Sequence, residues 1–311
     1  MNIFDNENFI KKFYLEPGLV PSFVVQDWID KCEDGLKEGV ERDFIRIRDE
    51  LFLDKRPCSN GDKKLYTATA GGPCSGKSTE LDYEIYEGND PRYQNSLIAD
   101  PDRYVMEYMF TYRNLLRAYD KARLGVADAS KQAYDRTRPG SNIISNLLLN
   151  KAFNGGYNII HGTTMTGGAV DSMLEKLGNK GYERRLLLCY ADDETRVQAG
   201  EKRITSECHY QVDPSDFVTK GGAYPQKHGV YFNRGDDIRL MWKNAVNERA
   251  VKAAQYIGGL IIVHDEEAYA AYIRKYEADR KKLGSAGTTI PSFSDVEQVY
   301  VNRFKPSTLK V

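Results

Sequence analysis

Between Lys64 and Tyr86 the chain reads KLYTATAGGPCSGKSTELDYEIY: a run of strand-forming residues, a glycine-rich loop, and a polar helical pattern, with no hairpin turn between them. A strand that passes through a tight loop straight into a helix belongs to a βαβ crossover, because the helix must run back along the sheet before another strand can start. The loop, Gly71, Gly72, Pro73, Cys74, Ser75, Gly76, Lys77, Ser78 and Thr79, fills every fixed position of G-x-x-x-x-G-K-[ST]. At that spacing backbone N–H groups wrap a phosphate at the helix N-terminus, the lysine reaches β- and γ-oxygens, and the Ser78 hydroxyl is offered to Mg²⁺. Cys74 reads as filler rather than nucleophile, since no base lies near it in sequence.

The same rhythm continues downstream. NSLIAD, YNIIHG, RRLLLCYA and GLIIVHD are short apolar runs, each followed by a helical pattern: from about Arg103, in GAVDSMLEKLG, in DDETRVQAGEKR, and in EEAYAAYIRKYEADRKKLG. Strands alternating with helices predict an α/β fold, a doubly wound and mainly parallel sheet covered on both faces. Residues 1–62 carry helical patterning and no catalytic motif, and are expected to pack on the core as a helical lead-in. The nucleotide-binding domain is expected over 63–284, with a lid or insertion at about 192–235, and 285–311 as a tail that either wraps the domain or binds a partner. Within it, 121–152 reads as an inserted helical segment, and 206–235 as a long loop before a helix at about 236–255.

Charge and composition narrow the partners. The 311 residues are 41% hydrophobic and 29% charged, enough for one large core or two modest ones. A formal charge of −1 gives no general pull toward nucleic acid or an anionic membrane, so a small-molecule substrate is expected. The five cysteines are scattered, with no C-x-x-C pair, and read as reduced thiols of a cytoplasmic protein. The segment MNIFDNENFIKKFYLEPG lacks the basic start and apolar core of a secretory signal, and no run approaches the roughly 20 apolar residues of a membrane span. Delivery by a specialised secretion machine remains compatible with that pattern. His209, His228 and His264 have no ligand spacing, so no metal is expected beyond Mg²⁺ carried with ATP.

The second strand, SLIA, runs straight into DPDRY, placing Asp100 and Asp102 just past its carboxyl end, where open α/β sheets bind ligands. In an extended chain residues two apart point the same way, so both carboxylates are expected to face one site, with Pro101 limiting the backbone between them. Two readings stand for Asp102. It caps a helix starting at Arg103, or one of the pair takes the proton of an acceptor hydroxyl while the other positions it or holds Mg²⁺ through water. After the fourth strand, Arg196 and Arg203 fall on one face of a helix, where two guanidinium groups can meet a γ-phosphate. The plainer reading is a solvated helix, with Asp192 paired to Arg196 and Glu194 to Gln198.

With the loop, ADPD, YNIIHGTT and GYERRLLLCYADDETRVQAGEKR in this order over about 64–205, the chain resembles the zeta-toxin family of P-loop kinases. The resemblance implies a P-loop kinase core that uses ATP and Mg²⁺, with Asp102 as base, Asp100 as its companion, Lys77 and Arg203 on the γ-phosphate, and Thr163, followed by Thr164, beside the acceptor. The best-known members phosphorylate the 3′-hydroxyl of UDP-N-acetylglucosamine, held in part by a Glu before the G-T and by a nearby Arg. Here His161 stands at the Glu position and Met165 at the Arg, which implies a rebuilt acceptor pocket. His161 also has a plainer reading, a strand-end histidine satisfied by backbone. A branch of the superfamily, found as an effector of plant pathogens and in related toxin pairs, phosphorylates the 3′-hydroxyl of the adenosine ribose in NAD. The helical lead-in, altered motif and long insertions resemble that branch more.

The expectation is therefore a kinase acting on a ribose or sugar 3′-hydroxyl of a nucleotide metabolite, NAD ahead of UDP-N-acetylglucosamine, with a cognate antitoxin or chaperone as partner. A second lid arginine is expected in the expanded loop, where Lys220, Arg234 or neither answers. The rival from another class is a nucleotide-binding regulatory protein without metabolite kinase activity.

Overall fold

The computed structural model describes residues 17–72, 74–121, 126–165 and 169–192, and shorter pieces at 194–196, 198–199, 260–263, 267, 270–271, 274 and 298–299. Helices α1 (Ser22–Lys31) and α2 (Asp34–Phe52) precede strand β1 (Lys64–Ala70). Helix α3 (Lys77–Tyr86), β2 (Ser96–Ala99), α4 (Phe110–Lys121), α5 (Val126–Gly155), β3 (Asn158–His161), α6 (Val170–Asn179), β4 (Tyr182–Tyr190), β5 (Leu260–Val263) and β6 (Gln298–Val299) follow. The strands form one sheet in the order β2-β3-β1-β4-β5-β6, and every adjacent pair is parallel.

Strand β1 is buried from Leu65 to Ala70 without a break, as a central parallel strand covered on both faces must be. Its side chains alternate between two cores. Tyr66, Ala68 and Ala70 join the larger one, with residues of α1, α2, α5 and α6, while Leu65 joins Leu81 and Ile85 of α3, Tyr93, and Ile160 of β3. The two helical layers of the doubly wound fold thus follow from the period-two alternation of β1 and β3.

The segment predicted as an insertion is central. Helix α5 runs 30 residues past an internal Pro139 and packs on α1, α2, α4 and strands β2 and β3. Its Ile144, Leu148, Leu149 and Ala152 are fully buried. Close approach to α2 requires glycine at position 140, where a Cβ would lie 2.5 Å from Val40 Cγ2. Beyond β2 the chain departs from expectation: instead of a helix from Arg103 it makes a π turn (Pro101–Val105) and a 3₁₀ turn (Met106–Tyr108) before α4. The start of α4 is capped from α2, the buried Asp43 carboxylate accepting the N–H groups of Phe110 and Thr111 at 2.8 and 2.9 Å.

Part of the tail pairs as β6 on the sheet edge, parallel to β5. The predicted loop at 206–235 and helix at about 236–255 lie outside the described residues. Among those residues no helix is long and apolar enough to cross a membrane.

Candidate active site

The phosphate loop is held open by backbone geometry. Gly71 has φ +126°, and a Cβ there would lie 2.3 Å from the Cys189 carbonyl oxygen, so the loop leaves β1 pressed against β4. Gly76 is left-handed at φ +88° and stands as N-cap of α3 without a side-chain capping hydrogen bond. Gly76 offers no side chain to the first N–H groups of α3, an arrangement that suits an anion at a helix N-terminus. The Ser75 hydroxyl and the Lys77 ammonium both donate to the Gly72 carbonyl, at 2.9 and 2.6 Å, folding the lysine back over the loop. Cys74 is buried at φ +60°. Ser78 is half-buried and Thr79 exposed in the first turn of α3; Pro73 lies outside the described residues.

Short-range contacts bring the carboxyl ends of β1, β3 and β2 together. The Thr69 hydroxyl at the end of β1 donates to the Thr163 carbonyl at 2.9 Å and accepts the Thr163 N–H at 3.0 Å, while Gly162 N–H donates to the Ala99 carbonyl at 3.0 Å. A Cβ on Gly162 would meet Asp100 Oδ2 at 2.1 Å, so only glycine lets that carboxylate sit against β3. The Tyr104 hydroxyl, in the π turn, donates to Asp82 on α3 at 3.3 Å and ties the turn to the helix of the phosphate loop.

The two carboxylates take different jobs from those an extended chain implies. Asp100 is buried and its Oδ1 accepts the Asp102 N–H at 2.8 Å, while its carbonyl accepts the Tyr104 N–H at 3.2 Å. It is Asp100, not Asp102, that caps the turn, because the π turn begins at Pro101. Asp102 is directed to α5 instead: its Oδ1 accepts from Arg138 Nη1 at 2.5 Å and from the Tyr134 hydroxyl at 3.3 Å.

His161 ends β3 on the face shared with Tyr66, whose hydroxyl lies 2.8 Å from His161 Nδ1. Burial draws the imidazole down to about 4 and pushes the Tyr66 phenol far up, so at neutral pH the ring is uncharged and the phenol keeps its proton. Tyr66 then donates to Nδ1 and the ring proton resides on Nε2. The partner is a side chain, not the backbone of the plainer reading. Thr163 Oγ1 accepts the Met165 N–H at 3.1 Å, and Thr164 is half-buried beside it. Met165, at the position where the resemblance puts an arginine, is buried in the main core at φ +55°.

Beyond β4, Arg196 is fully buried, which corrects the reading of that arginine as part of a solvated face, while Glu194 and Gln198 are exposed. Asp192 caps that helix: its carboxylate accepts the Thr195 N–H at 2.9 Å and the Thr195 hydroxyl at 2.5 Å, and its carbonyl accepts the Arg196 N–H at 3.1 Å. Arg203, Lys220 and Arg234 lie outside the described residues. Sequence reasoning missed Tyr66, Tyr134 and Arg138. Tyr134 and Arg138 stand four apart on α5, and that spacing was the one available signal.

A glycine loop at the carboxyl end of a central parallel strand, a Lys–Ser pair opening the next helix, and carboxylates at a nearby strand end define a P-loop nucleotide-binding α/β protein. The zeta toxin family model matches residues 48–219, over half of the sequence, and the chain belongs to that family, whose members are kinases. No curated protein matches. A solved structure from the PezAT chromosomal toxin–antitoxin system of Streptococcus pneumoniae is 20% identical, with a TM-score of 0.36, over 49% of this chain and 56% of that one. The chain thus spans little over half of that neighbour, and the likeness carries no functional argument.

Proposed function

We propose that the protein is an ATP-dependent kinase that transfers the γ-phosphoryl group to a ribose or sugar 3′-hydroxyl of a nucleotide metabolite, with NAD as acceptor. The observation that carries this reading is the convergence of the phosphate loop with the Asp102 turn, through the Thr69–Thr163 and Tyr104–Asp82 contacts. Lys77 and Arg203 neutralise the transferred charge, and Asp102 takes the proton of the acceptor hydroxyl. Asp100 positions the Asp102 turn, and Arg196 is the second guanidinium toward the γ-phosphate. Because the transition state is loose, positioning and electrostatics supply most of the acceleration.

The residues present fit ATP·Mg²⁺. The glycine-capped start of α3 suits the phosphates, and the Ser78 hydroxyl suits an ion that arrives with them. Among the described residues no cluster of three His, Cys, Asp or Glu side chains would hold a resident metal. Ser78 would hold Mg²⁺, which would supply neutralisation of the phosphate charge. Asp100, at the end of β2, would be the carboxylate to hold that ion through water.

NAD is preferred because the Glu position of the sugar-binding members holds a neutral imidazole here, fixed by Tyr66. Such a toxin would work in a cytoplasm, its own or that of a cell it is delivered to, and would be held in check by an antitoxin or chaperone. The test is mass spectrometry of purified protein with Mg²⁺, ATP, NAD and UDP-N-acetylglucosamine together. One phosphate on NAD alone, absent with Asp102→Asn, is expected. Phosphate on the UDP-sugar alone would reassign the acceptor, and ATP binding without any transfer would favour a regulatory nucleotide-binding protein.

A further inference from the structure

We propose that Arg138 and Tyr134 are positioning residues for Asp102, clamping one oxygen of its carboxylate so that the other is presented to the acceptor hydroxyl. The inference rests on the kinase reading of Asp102. Both donors reach the same atom, Oδ1, and both come from one face of α5, a helix anchored in the main core. The Arg138 guanidinium also lies over the Tyr134 ring, 5.8 Å from its centroid, which restrains the longer side chain. Asp102 is fixed at its other end by its own N–H on Asp100 Oδ1. The carboxylate is thus held from backbone and side chain at once, while its side chain keeps 37% of its surface exposed.

An aspartate carboxylate otherwise rotates broadly about its last torsion. Two donors on Oδ1 set its plane and leave Oδ2 to accept. In the transfer step the acceptor oxygen bonds to the γ-phosphorus, the bond from that phosphorus to the β,γ-bridging oxygen breaks to leave ADP, and the hydroxyl proton passes to Oδ2. Only the orientation of Oδ2 depends on α5. An exposed ion pair by itself stabilises little, so the value of this one lies in geometry, where misplacement by about 1 Å costs on the order of a hundredfold in rate.

The experiment uses the full chain with Arg138→Gln, Arg138→Lys, Arg138→Ala and Tyr134→Phe, and has two arms. In steady-state kinetics with NAD or the UDP-sugar, Arg138→Gln is expected to lower kcat about 10- to 100-fold with KM values for ATP and acceptor within about twofold. Arg138→Lys should lose less, and methylguanidinium should restore part of the kcat of Arg138→Ala. In thermal unfolding, which needs no substrate, Arg138→Gln and Asp102→Asn should be coupled: the double variant loses less than the sum of the single losses. Tyr134→Phe, which keeps the ring, should show the smaller kcat loss. A raised acceptor KM with unchanged kcat would make Arg138 a substrate ligand and overturn the proposal, as would strictly additive unfolding losses. Wild-type protein that phosphorylates neither acceptor would defeat the kinase reading instead, and the unfolding cycle then decides the clamp alone.

Discussion

The hydrogen bonds that shape the phosphate loop close between residues three and five positions apart, Ser75 and Lys77 to Gly72. Those on the proposed acceptor side join residues 32, 36 and 95 positions apart: Tyr134 and Arg138 to Asp102, and Tyr66 to His161. A backbone cradle reads what every nucleoside triphosphate shares, and its tolerance is set by φ angles and carbonyl distances. The acceptor side is assembled from side chains on separate elements. Such an arrangement of side chains from separate elements suits the part of a kinase that distinguishes one metabolite from another.

The largest effect that separates the two regions is the loss of Lys77. Lys77→Ala is expected to lower phosphoryl transfer about 10³-fold for any acceptor, water included, if the lysine serves the donor alone as proposed. Asp102→Asn should abolish transfer to the metabolite while leaving ATP affinity within about twofold. Paired measurements of ATP hydrolysis and acceptor phosphorylation check this, and an equal loss of both activities in Asp102→Asn would erase the distinction.

Gly71→Ala comes next and probes the cradle as backbone. At φ +126°, with a carbonyl oxygen 2.3 Å from the new Cβ, neither the residue nor Cys189 can yield cheaply. A destabilisation of about 3 kcal/mol, together with lost ATP binding, is expected in urea unfolding and nucleotide titration. A variant of native stability would mean that the loop leaves β1 by another path.

This difference in range also explains what was legible. The loop and the strands β1 to β5 were visible because a contiguous spacing or a run of apolar residues specifies each of them, and parallel pairing followed from their alternation with helices. Asp102 was visible as a candidate, but its partners were not. The four-residue spacing of Tyr134 and Arg138 places them on one helix face but does not point to a carboxylate 32 to 36 residues away. Pro139 beside them argues locally for a break that tertiary packing overrides. The assumption of an extended chain through Asp100 and Asp102 failed for a similar reason. The π turn is set by contacts with α3 and α5 that no local pattern records. The β6 pairing was equally hidden, since two residues are too few to form a pattern.

The Tyr66–His161 pair carries a pH dependence of its own. Because the folded-state value of His161 is about 4 against 6.5 in the unfolded chain, the unfolded state binds more protons between those values. Stability is therefore full above about pH 6.5 and falls as pH drops toward 4. His161→Gln keeps an acceptor for Tyr66 and should flatten this part of the acid limb by at most about 3 kcal/mol. Urea midpoints of both proteins at several pH values measure the difference, and parallel acid limbs would assign the dependence to other groups.

The smallest effect tests whether the two regions are mechanically joined. Thr69 lies two residues before the loop begins, and its hydroxyl makes two hydrogen bonds to the backbone of Thr163, beyond β3. Thr69→Val preserves shape and burial but leaves the Thr163 N–H and carbonyl without that partner, at a cost of about 1 to 2 kcal/mol. If the staple only stabilises the sheet, midpoint and Tm fall while KM for ATP and for acceptor stay put. If it also sets the distance between cradle and acceptor, kcat falls further than the unfolded fraction accounts for, with the ATP affinity intact. Such a result would make the end of β1 the joint through which a backbone-built donor site and a side-chain-built acceptor site keep a fixed separation.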